Sequence, residues 1–165
     1  MSPFNLRVYA ICVHGNEVLL TTESSQKLSF TKFPGGGIEP GEGIVEALKR
    51  ELKEELNCDV LSYKFYYVNE FYQPSAFHSN QQIISFYYLV NLSEVERIND
   101  FHELRWEEKF TVRVYFKKIQ ELVGADLSFP IDKLVLEKLK TDYLNKWKDP
   151  RMVRRTLSQP IQVAR

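Results

Sequence analysis

A glycine-rich turn leads straight into one acidic helix between residues 33 and 58. The ten residues 34–43 hold two prolines and five glycines: Pro34, Gly35, Gly36, Gly37, Pro40, Gly41 and Gly43. Such a run predicts a tight, irregular loop whose backbone can approach a ligand or an ion closely. Apolar residues then recur at spacings of three and four, which predicts one buried helical stripe: Val45, Leu48, Leu52 and Leu56.

Three glutamates share one face of this helix. Glu51, Glu54 and Glu55 lie at positions i, i+3 and i+4. That face lies roughly a quarter turn from the apolar stripe, so we expect the acids to border the buried side without entering it. Their mutual repulsion costs a few tenths of a kcal/mol per pair, and the helix dipole disfavours acids near a C-terminus. The three carboxylates and the nearby glycine carbonyls are the hard oxygen donors that Mg²⁺ or Mn²⁺ prefers, so we expect this helix to bind one of these ions. The alternative is a solvated acidic face.

The spacing of the charged residues is more specific than their clustering. Gly36 is followed after five residues by Glu42, and after seven more by the hexapeptide RELKEE at 50–55. This resembles the signature of the Nudix hydrolase family, G-x5-E-x7-R-E-U-x-E-E-x-G-U, in which U is a bulky apolar residue. Asn57 and Cys58 stand at the last two constrained positions. Asparagine tolerates the left-handed conformation and a buried cysteine is a small hydrophobe, so we expect metal binding to survive.

The resemblance implies roles for individual residues. The implied ligands of a Mg²⁺ or Mn²⁺ cofactor are the side chains of Glu51, Glu54 and Glu55 and a backbone carbonyl at Gly36 or Gly37. The three glutamates also count as catalytic residues, because one of them is expected to orient the attacking water. Arg50 completes the catalytic set; we expect it to pair with a box glutamate and fix the helix against the loop. Glu42 is expected to open the helix, either as a plain N-terminal acid or as a support of the ligands.

A fourth metal-binding acid often comes from a distant loop in this family. The candidates lie between the central strand and the last helix: Asp100, Glu103, Glu107 and Glu108. Glu103 is the predicted ligand because it precedes Trp106, as an acid often precedes a tryptophan in relatives. If Phe116 takes the place of that tryptophan, Glu107 or Glu108 is favoured instead. Surface exposure is the alternative for each acid.

Cationic and aromatic residues suggest a substrate site. Arg7 and Lys32 are predicted phosphate contacts because they flank the sheet near the glycine loop; the alternative for both is a solvated charge. Aromatic side chains between residues 65 and 72 are either stacking surfaces for a nucleobase or, more simply, core: Phe65, Tyr66, Tyr67, Phe71 and Tyr72.

Composition limits the class of protein. The 165 residues carry 22 basic and 22 acidic side chains, so no overall field recruits nucleic acid or a membrane. No apolar run approaches the ~20 residues that span a bilayer, and the N-terminus has no signal-peptide pattern. Cys12 and Cys58 are predicted to be reduced core residues of a cytoplasmic protein. We expect one domain over residues 1–150 and a tail over residues 151–165 that is either loose or docked on a partner subunit of a homodimer.

The order of elements predicts an α/β (α+β) fold, a Nudix-like α/β/α sandwich with a mixed β-sheet. Predicted strands cover residues 6–14, 17–22, 30–33, 59–72, 82–92, 102–106 and 111–116. The strand at 82–92 is nearly all apolar and is placed in the sheet centre. Helical turns are predicted at 117–123. A second helix is predicted from Pro130 to Pro150, with a buried face at Leu134, Leu136, Leu139, Tyr143 and Trp147.

The resemblance implies a Mg²⁺-dependent pyrophosphohydrolase that cleaves a nucleoside diphosphate linked to another moiety. Its substrate is then a phosphorylated small molecule, a nucleotide derivative. A second hypothesis is a catalytically inactive Nudix-like module that senses a nucleotide-type metabolite. A third is an interaction protein that uses its C-terminal helix and arginine-rich tail. The presence of all three box glutamates favours the enzyme; the substrate is not assigned, because specificity lies in loops outside the box.

Overall fold

The computed structural model describes residues 4–78, 80–99, 102–106 and 110–148. Within these residues the chain forms eight strands and two α-helices. In chain order the elements are β1 (Phe4–His14), β2 (Glu17–Ser24), β3 (Ser29–Lys32), β4 (Gly35–Gly37), α1 (Ile44–Leu56), β5 (Val60–Val68), β6 (Gln82–Leu92), β7 (His102–Trp106), β8 (Phe110–Lys118) and α2 (Pro130–Lys148). Short 3-10 helices cover Val95–Asn99 and Gly124–Asp126. None of the described helices is long and apolar enough to cross a membrane.

The strands form one mixed sheet in the order β5-β6-β1-β2-β8-β7. β1 and β6 are parallel, in register from Phe4 opposite Gln82 to Cys12 opposite Val90, while the other pairs are antiparallel. β1 and β2 pair beside their turn, and farther along β4 pairs with β1 and β3 with β2. The short segment β3–β4 therefore fills a split between two halves of the sheet.

A helix covers each face of the sheet. Alternate residues of β1, namely Val8, Ala10 and Cys12, pack with Leu48 and Leu52 of α1. The opposite face packs against α2 in a second cluster, which includes Tyr9, Ile11, Tyr87, Val135, Leu136 and Leu139. The predicted α/β/α sandwich with a mixed sheet is confirmed, since strand residues alternate between two helix-covered faces.

Strong local patterns give elements close to their predicted positions. The first two strands turn at Gly15, whose φ is +61°. The strand predicted at 82–92 forms β6, but it lies second from the β5 edge of the sheet, between β5 and β1, and not at the predicted centre. The arms predicted at 102–106 and 111–116 pair as β7 and β8. The second helix begins at Pro130, where a proline is tolerated because the first helical amides lack partners anyway.

Two segments differ from their predictions. Residues 35–37 form the strand β4 instead of irregular loop, because their backbone pairs with β1 from Arg7 to Tyr9. Gly35 has a φ of +128°, and a Cβ there would clash with the Val8 carbonyl oxygen. The helical turns predicted at 117–123 are wrong as well. Lys117 and Lys118 extend β8 through pairing with β2, and a turn follows before the 3-10 helix.

Further predictions for α2, β5 and the tail either need correction or lie outside the described residues. Leu134 is exposed, whereas Ile131 and Val135 are buried, because the buried stripe of α2 runs through residues 131, 135 and 139. The strand predicted at 59–72 ends at Val68. The side chain of Trp147, Pro150 and residues 151–165 lie outside the described residues.

Candidate active site

The acidic helix α1 has a defined start and end. Gly43 is its N-cap, and the Gly43 amide donates to the Glu46 carboxylate at 2.7 Å. Asn57 is its C-cap in the left-handed conformation, with φ 53° and ψ 27°. Glu42 lies just before the N-cap, not inside the helix as predicted. These caps fix the rotation and length of the helix, and therefore the positions of its carboxylates.

Arg50 connects α1 to the loop before it. Its Nε and Nη2 donate to the two carboxylate oxygens of Glu42 at 3.0 and 2.7 Å. Nη2 also donates to the Gly37 carbonyl at 2.9 Å, and Nη1 donates to Glu51 at 3.0 Å and to Glu54 at 3.2 Å. The fork of the guanidinium suits such paired contacts, and hydrogen bonding to Arg50 lowers the pKa of Glu42. Arg50 thus holds loop and helix together; a role in catalysis stays a prediction.

Two of the three box glutamates are buried. Glu51 and Glu55 are 8% and 9% exposed, whereas the Glu54 side chain is 44% exposed. The prediction that the acids border the core without entering it is therefore wrong for the first two. The reason is the strand β4, which covers this face of α1: a Cβ on Gly36 would lie 2.5 Å from both carboxylate oxygens of Glu51. Burial raises the pKa of both buried acids.

Lys32 neutralises the more deeply buried acid. Its ammonium contacts Glu55 at 3.1 Å, Glu23 at 2.9 Å and the Gly35 carbonyl at 2.6 Å. The Gly35 amide donates to the other oxygen of Glu55 at 2.8 Å. Although burial lowers the pKa of Lys32, the charges of Glu55 and Glu23 raise it overall. Three acceptors match the three donors of the ammonium, so a phosphate contact by Lys32 requires the exchange of one of them.

Arg7 lies between the acidic helix and a neighbouring cavity. Its Nε donates to the Tyr9 hydroxyl at 2.5 Å. Burial lowers the pKa of Arg7, but the interactions with Tyr9 and with the charge of Glu51 raise it overall. The guanidinium therefore carries its charge at the edge of the cavity, where an anionic group of a ligand can reach it.

The glutamates of α1 have the chemistry of a site for a hard cation. Their oxygens suit Mg²⁺ or Mn²⁺, and the charge of Glu55 adds to burial in raising the pKa of Glu51, a repulsion that a cation relieves. Glu54 and Glu55 also border a cavity of about 280 Å³ beside α1. Among the described residues, however, no three His, Cys, Asp or Glu side chains converge closely enough to hold a metal. The donors fit in type, and their convergence on one ion stays a prediction.

The fourth acid is not placed by the structure. Glu103 lies in β7 with its backbone opposite Arg113 of β8, and its side chain is outside the description. The alternatives Asp100, Glu107 and Glu108 lie outside the described residues altogether. The ligand role of Glu103 stays a prediction.

A cavity of about 110 Å³ opens on the α2 side of the sheet, where β1 and β2 separate. Its lining includes Arg7, Lys32, Phe30, Phe77, Phe129 and Asp132. Arg7 and Lys32 connect the cavity with the glutamates of α1. The predicted stacking residues between 65 and 72 do not line it; Phe65, Phe71 and Tyr72 are exposed and Tyr66 and Tyr67 pack against the core.

Asp132 is the cavity residue that the sequence analysis missed. Its carboxyl is 1% exposed, and the Tyr87 hydroxyl donates to Oδ1 at 2.5 Å. Oδ2 has no hydrogen-bond partner within the described part of the chain. Burial raises the pKa of Asp132 to about 7, against the lowering effects of the Tyr87 bond and of nearby Lys32. A signal was available: this acid lies four residues before Leu136, on the apolar face of α2.

The fold and the site together define a class. The fold is a split mixed sheet between two helices, in which a strand of glycines packs against an acidic helix. The NUDIX domain model matches residues 3–123 of this chain. The chain belongs to the Nudix family, whose members generally use a divalent metal.

Individual relatives agree with this assignment. The chain is 31% identical over 98 residues to YtkD of Bacillus subtilis, covering 59% of this chain and 57% of that protein. It is 43% identical over 61 residues to the 8-oxo-dGTP diphosphatase of Haemophilus influenzae, covering 36% of this chain and 40% of that protein. The alignments thus span about half the length of these curated relatives, or less.

A solved structure supports the fold. The MutT NUDIX hydrolase from Burkholderia pseudomallei superimposes with a TM-score of 0.62 at 18% identity, covering 82% of this chain and 97% of that one. At this identity the likeness shows the architecture alone.

Proposed function

We propose that the chain is a Mg²⁺- or Mn²⁺-dependent hydrolase of a phosphoanhydride bond in a nucleotide derivative, a nucleoside diphosphate linked to another moiety. The observation that carries this proposal is the buried pair Glu51 and Glu55, held against a glycine strand. Lys32, which contacts Glu55, also lines the cavity on the α2 side of the sheet together with Arg7. The relatives named as 8-oxo-dGTP diphosphatases support a nucleotide substrate.

The acidic residues of the site are assigned to binding a metal ion. Glu51, Glu54 and Glu55, with the Gly36 carbonyl and Glu103 as further donors, would hold a divalent ion, which when bound would supply charge neutralisation and an acidified water. Glu54 is the exposed acid, so we assign it to the side from which water approaches.

We assign the cationic side chains of the site either to binding the substrate phosphates or to holding the metal-binding glutamates in position. Arg7 offers its charge to the phosphates from the cavity side. Lys32 holds Glu55 in place through the contact at 3.1 Å, and it would bind a phosphate by exchanging one of its three present acceptors. Arg50 keeps the loop and the ligand helix in one arrangement through Glu42 and Gly37.

The test is hydrolysis by the purified full chain with and without metal. Release of phosphate or pyrophosphate from a panel of nucleoside triphosphates and dinucleotides should require Mg²⁺ or Mn²⁺ and should stop with a chelator. The Glu54→Gln variant should lose at least about 100-fold in kcat/KM, because even the residues that support metal ligands cost about 10–100-fold when replaced. Its folding should be unaffected, since the Glu54 side chain is exposed and contacts Arg50 at the surface.

The matched control is Glu137→Gln, an exposed glutamate on α2. It should retain the activity of the unmodified chain. If Glu54→Gln keeps full turnover, the proposed site is wrong. If nucleotides bind but are not cleaved with any divalent ion, the sensing module takes the place of the enzyme.

Cytoplasmic location and a homodimer stay predictions. Cys12 and Cys58 are free and buried, which agrees with the prediction of reduced core thiols, and burial raises the pKa of Cys12 to about 12. Size-exclusion chromatography of the full chain, beside a version that ends at residue 150, tests whether the tail mediates assembly.

A further inference from the structure

The sheet face that α1 covers continues past the helix. Val8, Ala10 and Cys12 of β1 pack under α1, and the alternation of side chains along a strand places Phe4 and Leu6 on the same side. The registers of β1 with β6 and of β6 with β5 continue this side across three strands. We call the surface beyond the helix the open face; its residues are Phe4, Leu6, Tyr63, Phe65, Phe86 and Tyr88.

The open face is aromatic and in contact with water. Phe4, Phe65 and Tyr63 are 62%, 50% and 36% exposed. The rings of Tyr63 and Phe65 each meet the Tyr88 ring edge-on, at 6.1 and 5.7 Å between centroids. With about 200 Å² for a whole aromatic side chain, the three exposed rings leave on the order of 300 Å² of surface in water. A contiguous apolar patch of this size often marks an interaction site.

The flank of α1 marks the border of the open face. The Lys49 ammonium lies 5.8 Å from the centre of the Tyr63 ring, so the helix reaches the edge strand there. Among the described residues, α1 is the α-helix on this side of the sheet, and its 13 residues span about 20 Å. An occupant of the open face is therefore a segment outside the described residues or another molecule.

The size and the edge of the open face favour a short segment over a second copy of the chain. A stable interface between two proteins buries about 800 Å² on each partner, well above the aromatic surface that is open here. β5 is an edge strand, and its pairing is irregular between Val60 and Ser62 and between Phe65 and Tyr67. Bulges of this kind turn an edge strand away from continuous pairing with a second sheet.

The C-terminal part of the chain leaves α2 beside the same edge strand. The Tyr66 hydroxyl of β5 donates to Asp142 at 2.8 Å, and the Lys138 ammonium lies 4.8 Å from the centre of the Tyr66 ring. α2 ends at Lys148, six residues after Asp142 and about 9 Å farther along the helix axis. Residues 149–165 follow, and an extended chain of that length spans up to about 55 Å. This length is sufficient to pass the β5 edge and to cross the open face.

The sequence of the tail suits an apolar surface. Leu157, Ile161 and Val163 lie at alternate positions, with polar Ser158 and Gln162 between them. This is the period of an extended segment with one apolar side. Residues 157–163 span about 20 Å when extended, whereas the first and third of three neighbouring strands lie about 10 Å apart. The apolar side is therefore long enough to cover the open face from β5 to β1.

Charge favours the same placement. Glu70 is exposed two residues beyond the end of β5, close in the chain to the Tyr66 that contacts α2. Three arginines open the tail: Arg151, Arg154 and Arg155. The attraction of exposed opposite charges is small, so it directs the tail towards this edge while the apolar contacts hold it.

We propose that residues 157–163 bind the open face of their own chain, with Leu157, Ile161 and Val163 towards its aromatic rings. The tail then completes the α1 side of the sheet. The inference is independent of the proposed hydrolase activity, because none of these residues belongs to the acidic helix or its glycine loop.

Disulfide trapping in the full chain tests the proposal. One variant combines Phe65→Cys with Ile161→Cys, and the matched control combines Lys64→Cys with Ile161→Cys. Lys64 is exposed and lies opposite Leu89, on the α2 side of the same strand. The native thiols Cys12 and Cys58 are buried. In a glutathione redox buffer the first pair should close within one chain at least about 10-fold faster than the second, because binding raises the effective concentration of a segment at its contact.

The control is demanding, because the tail leaves α2 on the Lys64 side of the sheet. Equal rates for the two pairs overturn the proposal. Disulfides that form only between chains, seen as a covalent dimer on a non-reducing gel, overturn it as well, because the occupant is then a second copy.

A second measurement keeps every residue of the open face unchanged. Binding of the dye ANS, which reports exposed apolar surface, is compared between Ile161→Asp and Gln162→Asp in the full chain. The first should raise the dye fluorescence by about 3-fold or more, because it uncovers the rings, and the second should change it by less than about 1.5-fold. Equal fluorescence of the two variants contradicts the proposal, and this assay decides the question if a cysteine pair fails to fold.

Discussion

The backbone of Gly36 lies directly against the carboxylate of Glu51. An added Cβ would lie 2.5 Å from either carboxylate oxygen, and these atoms are at the end of a flexible side chain. In Gly36→Ala the carboxylate therefore moves, while the backbone stays. We expect kcat/KM to fall by about 10–100-fold and the free energy of unfolding to fall by only about 1–2 kcal/mol. Steady-state kinetics and urea denaturation of the same variant check both numbers.

Gly124→Ala is the control for this substitution, because its added Cβ meets nothing within 4 Å. It should leave kcat/KM unchanged. A Gly36→Ala protein with full activity would show that Glu51 does not need its present position.

Side-chain burial marks the limit of prediction at the residue scale. The spacing of Glu51, Glu54 and Glu55 correctly gave one shared face, because helical periodicity is local. Their burial depends on what packs on that face, and the strand β4 comes from about fifteen to twenty residues earlier in the chain. The same holds for Asp132, which becomes a cavity acid only when α2 meets β6 through Tyr87.

At the scale of elements, the end of α1 depends on one unusual conformation. Asn57 has φ 53° and donates its amide to the Lys53 carbonyl at 3.0 Å. Side chains other than asparagine and glycine lose about 1–2 kcal/mol in the left-handed region. Asn57→Ala should therefore lower the free energy of unfolding by about 1 kcal/mol, whereas Asn57→Gly should stay within about 0.5 kcal/mol of the unmodified chain. Urea titrations of the three proteins measure the order; an alanine variant as stable as the asparagine protein contradicts it.

Elements with a strong local period were predicted well, and elements defined by pairing were not. α1, α2 and the first hairpin follow from apolar spacing, a proline start and a glycine turn. β4 consists of three glycines, which have no side chains that could form a hydrophobic pattern. The local sequence therefore gives no sign of its pairing with β1. Lys117 and Lys118 read equally well as helix or strand, and their pairing with β2 decides between the two.

At the scale of the whole molecule, Asp132 makes stability depend on pH. Its folded-state pKa of about 7 is above the ~3.9 of an unfolded aspartate. The native state therefore keeps a proton that the unfolded state releases, so the contribution to stability is full below about pH 4 and is lost as the pH rises through about 7. From about pH 5 to pH 8, the unfolding free energy of Asp132→Asn should gain a few kcal/mol on that of the unmodified chain. Urea denaturation across this range measures the difference; a constant difference argues against a buried, proton-binding Asp132.

The sheet has a consequence for the order in which the molecule is assembled. Its parallel pair joins β1 to β6 from Phe4 opposite Gln82 onwards, a separation of nearly eighty residues. Contacts between residues so far apart in the sequence slow folding, because the chain loses the entropy of closing a large loop before the stabilising strand contacts form. On the ribosome the parallel pairing of β1 must wait until β6 has left the exit tunnel. The antiparallel partners of β1, which are β2 and β4, and the glutamates of α1 are already made by then.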